Sequence, residues 1–560
     1  MKFNKKTKMG VFMKSKFIAM VLTAIGLASF SLSSCTSSTP KEEDYYDPEH
    51  KPFGKYDEVV KVKGVMEFLA HNDSRVPSDI TPETNVFIRK LKEDMNIQWD
   101  YLWKVPSTQY ENRLTATMLG KQQPNILKLN GSQYQQFLKK GLLKDLTETY
   151  KYASPKTKAF LFRDPEVIES LKTEDGKIYA IPQYENIDLS VPVMYYRADW
   201  LKKNNLSVPT TPEELTKVLK VFKEKENATS GLGLSKSMVG SYLTLDRYLQ
   251  VFGANPFSWI ERGGKLIASE TTDETKNALK YYNSLYKEGL IATDYAATDV
   301  SMAETAIKSN KTGIIFGPWW QYEYPLADLL PTQDWACAPI PLNIGAKFIV
   351  PKQEISAYYV CLDNFSHPEV LMKMINAYIE WDGKEGCTPE DGYVWSWCPT
   401  QFHDPYEVDT QYHQFQDQIK IDPKAENPAP EEWTNHLKNL WSVYPEFLEW
   451  KEDHGAVKFQ ANWFANILGR LTNEGAWKVI LDSKETNRWI YEEYYDLPTK
   501  SQKLFGGQIS THVEEYFVKA IMGEVNIDDT WGNYVKEWRS LGGSKCETEV
   551  NEWYTAKKSA

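Results

Sequence analysis

Through the first part of the chain, short apolar runs alternate with stretches of helical spacing. Lys61–Leu69 (KVKGVMEFL) predicts a first strand, and in Thr84–Met95 the apolar residues Val86, Ile88, Leu91 and Met95 fall at helical spacing. Ile97–Leu102 predicts a second strand, Tyr110–Leu119 a helix stopped by Gly120, and Asn125–Leu129 a third strand. Gln133–Lys140 is a further helix with Gly141 as its stop. Strands alternating with helices predict a parallel sheet with helices on its faces. Downstream, Asp175-Gly176-Lys177 is a turn into Ile178–Pro182, Val191–Arg197 is strand-like and Asp199 opens a helix. Thr211 is placed as an N-cap and Pro212 in the first turn of a helix continuing through Leu215–Phe222. Thr312–Tyr324 (TGIIFGPWWQYEY) begins as a buried strand and breaks at Gly317-Pro318. It then sets down Trp319, Trp320, Tyr322 and Tyr324, beyond the carboxyl end of a strand, where open α/β sheets bind ligands.

The N-terminus reads as an address. Lys2, Lys5, Lys6, Lys8, Lys14 and Lys16 form a basic region without an acidic residue, and Phe17–Phe30 is an apolar core too short for a comfortable span. Leu32-Ser33-Ser34-Cys35 follows at once and resembles a bacterial lipobox, in which Cys35 carries the lipid and becomes the first mature residue. Residues 1–34 are then a signal peptide and 35–55 a polar, Pro-containing tether. No second hydrophobic stretch is long enough to span a bilayer, so the lipid is the expected anchor, on the extracytoplasmic face of the cell membrane.

Composition narrows the partners. The formal charge is −11, and the expected signal peptide takes six lysines with it, leaving about −17. A phosphate-neutralising surface for nucleic acid is not evident. The 19 Trp and 33 Tyr raise the weight of aromatic recognition surfaces, although core packing absorbs such residues too. Cys337, Cys361, Cys387, Cys398 and Cys546 remain after Cys35, an odd number that leaves at least one thiol unpaired. Cys387 and Cys398 flank a loop that a disulfide would close, but spacing does not establish pairing. The cysteines lack zinc spacing, and no nucleophile elbow, phosphate loop or His-Glu-x-x-His helix is present. No cofactor, metal or catalytic residue is assigned.

Several stretches together resemble one family. DGKIYAIPQ (Asp175–Gln183), MYYRADWLKKNNLSVPTTPEELTKVLKVFKE (Met194–Glu224), TGIIFGPWW (Thr312–Trp320), YEEYYDLPT (Tyr491–Thr499) and Glu514–Tyr554 are similar to the large lipoprotein members of the family-one extracellular solute-binding proteins. Thr388–His454 is the least matched region. The resemblance implies an α/β, two-lobe periplasmic-binding-protein-like fold of class II, with the ligand cleft between lobes. It implies a monomer, without enzymatic activity, that captures a carbohydrate, an oligosaccharide, and passes it to the permease subunits of an ABC importer. The expected lobes are 56–185 with a return at about 342–380, and 190–335 completed by a mostly helical 381–560. Crossings are expected near Tyr184–Val193 and Trp335–Pro341. Many large members carry an oxygen-rich calcium loop where this chain has Lys225-Glu226-Asn227-Ala228-Thr229-Ser230-Gly231, so no calcium is expected there. An exported carbohydrate-active enzyme, and a binding lipoprotein for a peptide or other non-sugar solute, are the competing readings.

Sugars stack their C–H faces on rings and need a few placed donors and acceptors for their hydroxyls. Trp319, Trp320 and Tyr322 are the first candidates. In Tyr393-Val394-Trp395-Ser396-Trp397, an extended backbone would put Tyr393, Trp395 and Trp397 on one face, as a cleft wall or equally a core edge. Tyr184, Glu185 and Asn186 lie at the first expected crossing. Asn72, Asp73 and Arg75 follow the first strand, and Asn130 and Ser132 the third, in loops expected on the cleft side. Turn chemistry accounts equally for the Asn and Asp residues, and an N-cap for Ser132. Phe257 and Trp259 are weaker candidates.

Overall fold

The computed structural model describes residues 50–559 apart from 72–74, 164, 185–186, 241, 353–354, 403 and 496–497. The signal peptide, Cys35 and most of the expected tether therefore lie outside the described residues. The strands are β1 (Val60–Glu67), β2 (Ile97–Val105), β3 (Ile126–Leu129), β4 (Ile181–Tyr184), β5 (Val193–Arg197), β6 (Trp259–Arg262), β7 (Lys265–Ala268), β8 (Ile314–Gly317), β9 (Trp335–Pro339), β10 (Phe348–Val350), β11 (Ile355–Cys361) and β12 (Trp489–Tyr491).

Local chemistry sets most of these elements. In β1, Val60, Val62 and Met66 are buried while Lys61, Lys63 and Glu67 face solvent, the period of two expected of a half-buried strand. The helix Val86–Met95 is capped by Asn85, whose side chain accepts from the Phe87 N–H, and ends on Asn96 in the left-handed region at φ 55°. Thr211 accepts from the Glu214 N–H, with Pro212 opening the helix Pro212–Lys225. Gly64 sits against the Trp99 ring, where a Cβ would meet ring carbon at 1.8 Å, and the β1–β2 register shifts next to it.

The expected parallel sheet holds only in part. β1 pairs parallel with β2, and β10 with β12. β11 instead inserts antiparallel between β3 and β4, and β5 lies antiparallel to both β8 and β9. Strand–helix alternation governs neighbours in sequence. It carries no information about a strand that arrives from more than two hundred residues downstream and enters in the opposite sense.

Two large apolar cores result. One combines residues from Val60 to Tyr184 with Ile355 to Phe402. The other combines residues from Val191 to Val350 with Val408 to Tyr554. The chain passes between them after β4, between β10 and β11, and again between Phe402 and Val408. The second crossing thus differs from the expected one. Trp335–Pro339 is β9, held in the second core by β5, and the chain leaves only after Val350. The return into the first core also runs on to Phe402, carrying the Tyr393–Trp397 segment with it, rather than ending near 380. Residues at the expected tether's end are docked: Lys373 Nζ donates to Gly54 O at 2.8 Å and lies 4.1 Å from the Tyr56 ring centroid. No helix among the described residues is long and apolar enough to cross a membrane.

Buried carboxylates give the second core a pH dependence. Glu270 is 3% exposed; it accepts from the Phe257 N–H and Trp538 Nε1, and burial raises its pKa to about 7. The folded state therefore holds a proton that the unfolded chain releases. This contribution is complete below the ordinary carboxylate pKa and is lost as pH rises through about 7. Denaturant titrations should show stability rising by about 1 kcal/mol from this group between pH 8 and pH 6. Glu270→Gln should flatten that part of the profile.

Candidate ligand cleft

β8 is buried at all four positions and stops at Gly317; Pro318 turns the chain and Trp319–Tyr322 forms one tight helical turn. The Tyr195 hydroxyl lies 2.8 and 2.7 Å from the Pro318 and Trp319 carbonyls and fixes this turn. Its rings then take different roles. Trp319 is 7% exposed, with the Arg470 guanidinium carbon 4.2 Å from its centroid and Trp477 meeting it edge-on at 5.6 Å. Tyr322 is a core residue whose hydroxyl donates to Trp335 O. Trp320 stays half-buried and meets the edge of Tyr242 at 5.4 Å. Tyr242 and Tyr324 both donate to Glu304, which steadies this side of the turn. Trp320, rather than Trp319 or Tyr322, keeps ring surface available for stacking.

Arg470 organises the base of this wall. Its Nε and Nη2 reach Glu323 at 2.9 and 3.4 Å, and its Nη1 reaches Glu407 at 3.4 Å. Glu407 opens the helix Glu407–Ile421 just after the third crossing. Burial, partly opposed by Arg470 and reinforced by Asp404, Glu323 and Asp382, pushes Glu407 up to about 7.

The first-core side is set by Thr388–Phe402. The extended arrangement expected for Tyr393–Trp397 is replaced by a 3₁₀ turn at Trp395–Trp397. Three residues per turn separate rings that period-two alternation would align. Tyr393 and Trp397 go inward, Trp397 donating from Nε1 to Leu69 O at 2.7 Å, while Trp395 is 53% exposed. Arg75 connects the two sides: its Nε lies 3.8 Å from Glu390, and its guanidinium carbon lies 5.2 Å from the Trp463 ring of the second core. Trp463 sits on the helix Ala461–Asn466, which packs against the Trp319–Tyr322 turn. Beside it, 6.2 Å away, is His436, which burial and the charges of Arg470 and Arg75 lower to about 3, so the ring is neutral.

The remaining candidates divide. Asn72, Asp73, Glu185 and Asn186 lie outside the described residues. Tyr184 is buried, with its hydroxyl on Leu161 O and its ring against Phe402, so it serves the first core. Asn130 is the N-cap of the helix Gly131–Lys139, accepting from the Gln133 N–H, and Ser132 accepts from Gln136 Nε2 within that helix. Capping occupies Asn130, and an intrahelical side-chain contact occupies Ser132, which is not the N-cap. Phe257 and Trp259 help line a separate cavity of about 220 Å³ with Pro351, Glu492, Tyr494 and Tyr495. All five described cysteines are free and buried, so Cys387 and Cys398 do not close a loop. In Lys225–Gly231, Glu226 is engaged by Lys203 and Asn204. No cluster of three or more His, Cys, Asp or Glu able to hold a metal occurs among the described residues. Trp463 and His436 were missed because they fall in or beside the stretch least similar to the family and show no motif of their own.

Two α/β cores joined by three crossings, with rings and a cation meeting between them, define a two-lobe binding protein. The chain belongs to the bacterial extracellular solute-binding proteins, whose family model matches residues 81–381. It is 27% identical over 316 residues to the lipoprotein LipO of Bacillus subtilis (strain 168), covering 55% of this chain and 57% of LipO. It is also 27% identical over 247 residues to the polygalacturonan/rhamnogalacturonan-binding protein YtcQ of the same strain, covering 42% and 47%. The chain thus spans about half the length of the curated relatives it matches. The crystal structure of the alginate-binding protein AlgQ2 without calcium ion superposes with a TM-score of 0.57 at 16% identity, covering 90% of this chain and 100% of that one.

Proposed function

We propose that this chain is a lipid-anchored binding protein that captures an oligosaccharide between its lobes and delivers it to an ABC importer, without catalysing a reaction. The observation that carries the reading is the aromatic surface at the lobe junction, where Arg75 meets Trp463 and Trp320 stays half-buried, with Trp395 53% exposed in the first-core segment Thr388–Phe402. Exposed indole faces are unfavourable in water, and sugar C–H faces cover them without requiring a charged partner. The family, the lipobox-like Leu32–Cys35 and the names of LipO and YtcQ support the same reading.

A thermal-shift screen over glycans and peptides, followed by mass analysis of the recovered ligand, tests it. A glycan should raise Tm in a concentration-dependent way and be recovered intact. Trp395→Ala should weaken that glycan about tenfold or more with Tm of the free protein nearly unchanged, because an exposed ring contributes little to folding. A shift from peptides alone, or recovery of cleaved sugar, would remove the proposal.

A further inference from the structure

Arg247 stands apart from the other cations near the lobe junction. It lies on the short helix Leu245–Leu249, five positions along the chain from Tyr242, the residue whose ring meets Trp320. Its Nη1 donates to Ser190 O, in the segment of the first crossing, at a long 3.4 Å. Its Nε is enclosed and has no acceptor. The adjacent Asp246 carboxylate is turned to the Thr244 hydroxyl at 2.6 Å. Among the described residues Arg247 forms no ion pair, and burial lowers its pKa despite the field of Asp246. By contrast Arg470, Arg197 and Arg163 each hold a carboxylate at 2.9 Å or less.

The surroundings repeat the pattern. The Tyr195 hydroxyl near Arg247 is committed to the Pro318 and Trp319 carbonyls. Gln321, in the same turn, is fully buried with neither end of its amide bonded, and Trp319 Nε1 donates to nothing. A partly buried guanidinium whose Nε is enclosed without an acceptor, and which holds no anion, is unfavourable unless a partner arrives. Its planar fork suits a two-oxygen acceptor. In a chain this acidic the attraction must come from such a local anchor, since the long-range field repels anions.

Resting on the carbohydrate reading above, we propose that the captured glycan carries an anionic group and that Arg247 is its anchor. The same chemistry is met by the carboxylate of a uronate and by a sulfate ester. The mature protein would be titrated calorimetrically with oligogalacturonides, the same oligomers with their carboxyls reduced to alcohols, sulfated oligosaccharides and neutral oligosaccharides. The wild type should prefer an anionic ligand over its uncharged counterpart by about tenfold or more, and Arg247→Gln should reduce that preference to about twofold. Preference for the oligogalacturonide assigns the carboxylate, and preference for the sulfated sugar assigns the ester. Arg247→Gln should also raise the Tm of the free protein, whereas loss of a purely structural arginine would lower it; Arg247→Lys, which keeps the charge without the fork, should bind with intermediate preference. Equal binding of charged and uncharged forms, or a preference unchanged in Arg247→Gln, overturns the anchor and leaves the carbohydrate reading standing. Peptide binding with no glycan binding overturns both.

Discussion

Trp319→Ala should cost about 3–5 kcal/mol of stability, read as a lower denaturant midpoint at unchanged slope. The ring is 7% exposed and fills the space between the Arg470 guanidinium and Trp477, behind a strand buried at every position. Removing it leaves a cavity whose walls cannot close, because Gly469 and Gly475 already bring backbone close. A Cβ at Gly469 would meet the Tyr322 side chain at 3.2 Å, and one at Gly475 the Leu468 carbonyl at 2.5 Å. The loss also removes the ring face over which the guanidinium lies. Trp395→Ala provides the contrast, since it should change ligand affinity and leave the midpoint within about 0.5 kcal/mol of wild type. If Trp319→Ala kept full stability and lost only ligand, the division between a packing ring and a recognition ring would be the wrong way round.

Arg470→Leu should destabilise by about 3 kcal/mol near pH 8, and the loss should shrink toward pH 5. The guanidinium holds Glu323 and Glu407 together and lies near Asp382, which burial raises to about 6. Leucine leaves these carboxylates facing one another without a cation. Arg470 pulls the Glu407 pKa down in the wild type, so its removal raises that pKa further. The variant's folded state then binds more protons than the wild type's, and acid recovers part of its stability. Adding Glu407→Gln and Glu323→Gln to the Arg470→Leu background should recover stability at pH 8 by removing the stranded charges. A loss that stays constant from pH 8 to pH 5 would mean that the residue acts by packing alone.

These two residues show where sequence reasoning stops. Trp319 follows a strand and a Gly-Pro break, so its place at a strand end is legible. Whether its face meets ligand or core depends on Arg470 and Trp477, which lie about 150 residues away in sequence and reach the turn only through the second core. Asn130 is open in sequence between turn chemistry and contact, and Ser132 between an N-cap and contact; in the fold the cap is Asn130, and Ser132 lies inside the helix against Gln136. Trp395 and Trp397 differ by two positions, yet the 3₁₀ turn sends one outward and the other onto Leu69 O. Arg75 is marked by its loop after the first strand, where it meets Trp463, whereas Arg247 carries no pattern that separates it from other surface-compatible arginines.

What the sequence determined was set by neighbours: strands from apolar runs, the helix start at Thr211, and the break at Gly317-Pro318. Together with motifs spread along the chain, these features marked the family that the match over residues 81–381 bears out. The tertiary structure alone decided that β11 inserts antiparallel between β3 and β4, that the second crossing falls after Val350, and which aromatic rings remain exposed. The physical reason is the range of the forces involved. Capping, turn and propensity energies act within a few residues, whereas the burial of a ring or the pairing of a charge depends on segments that only the folded chain brings together.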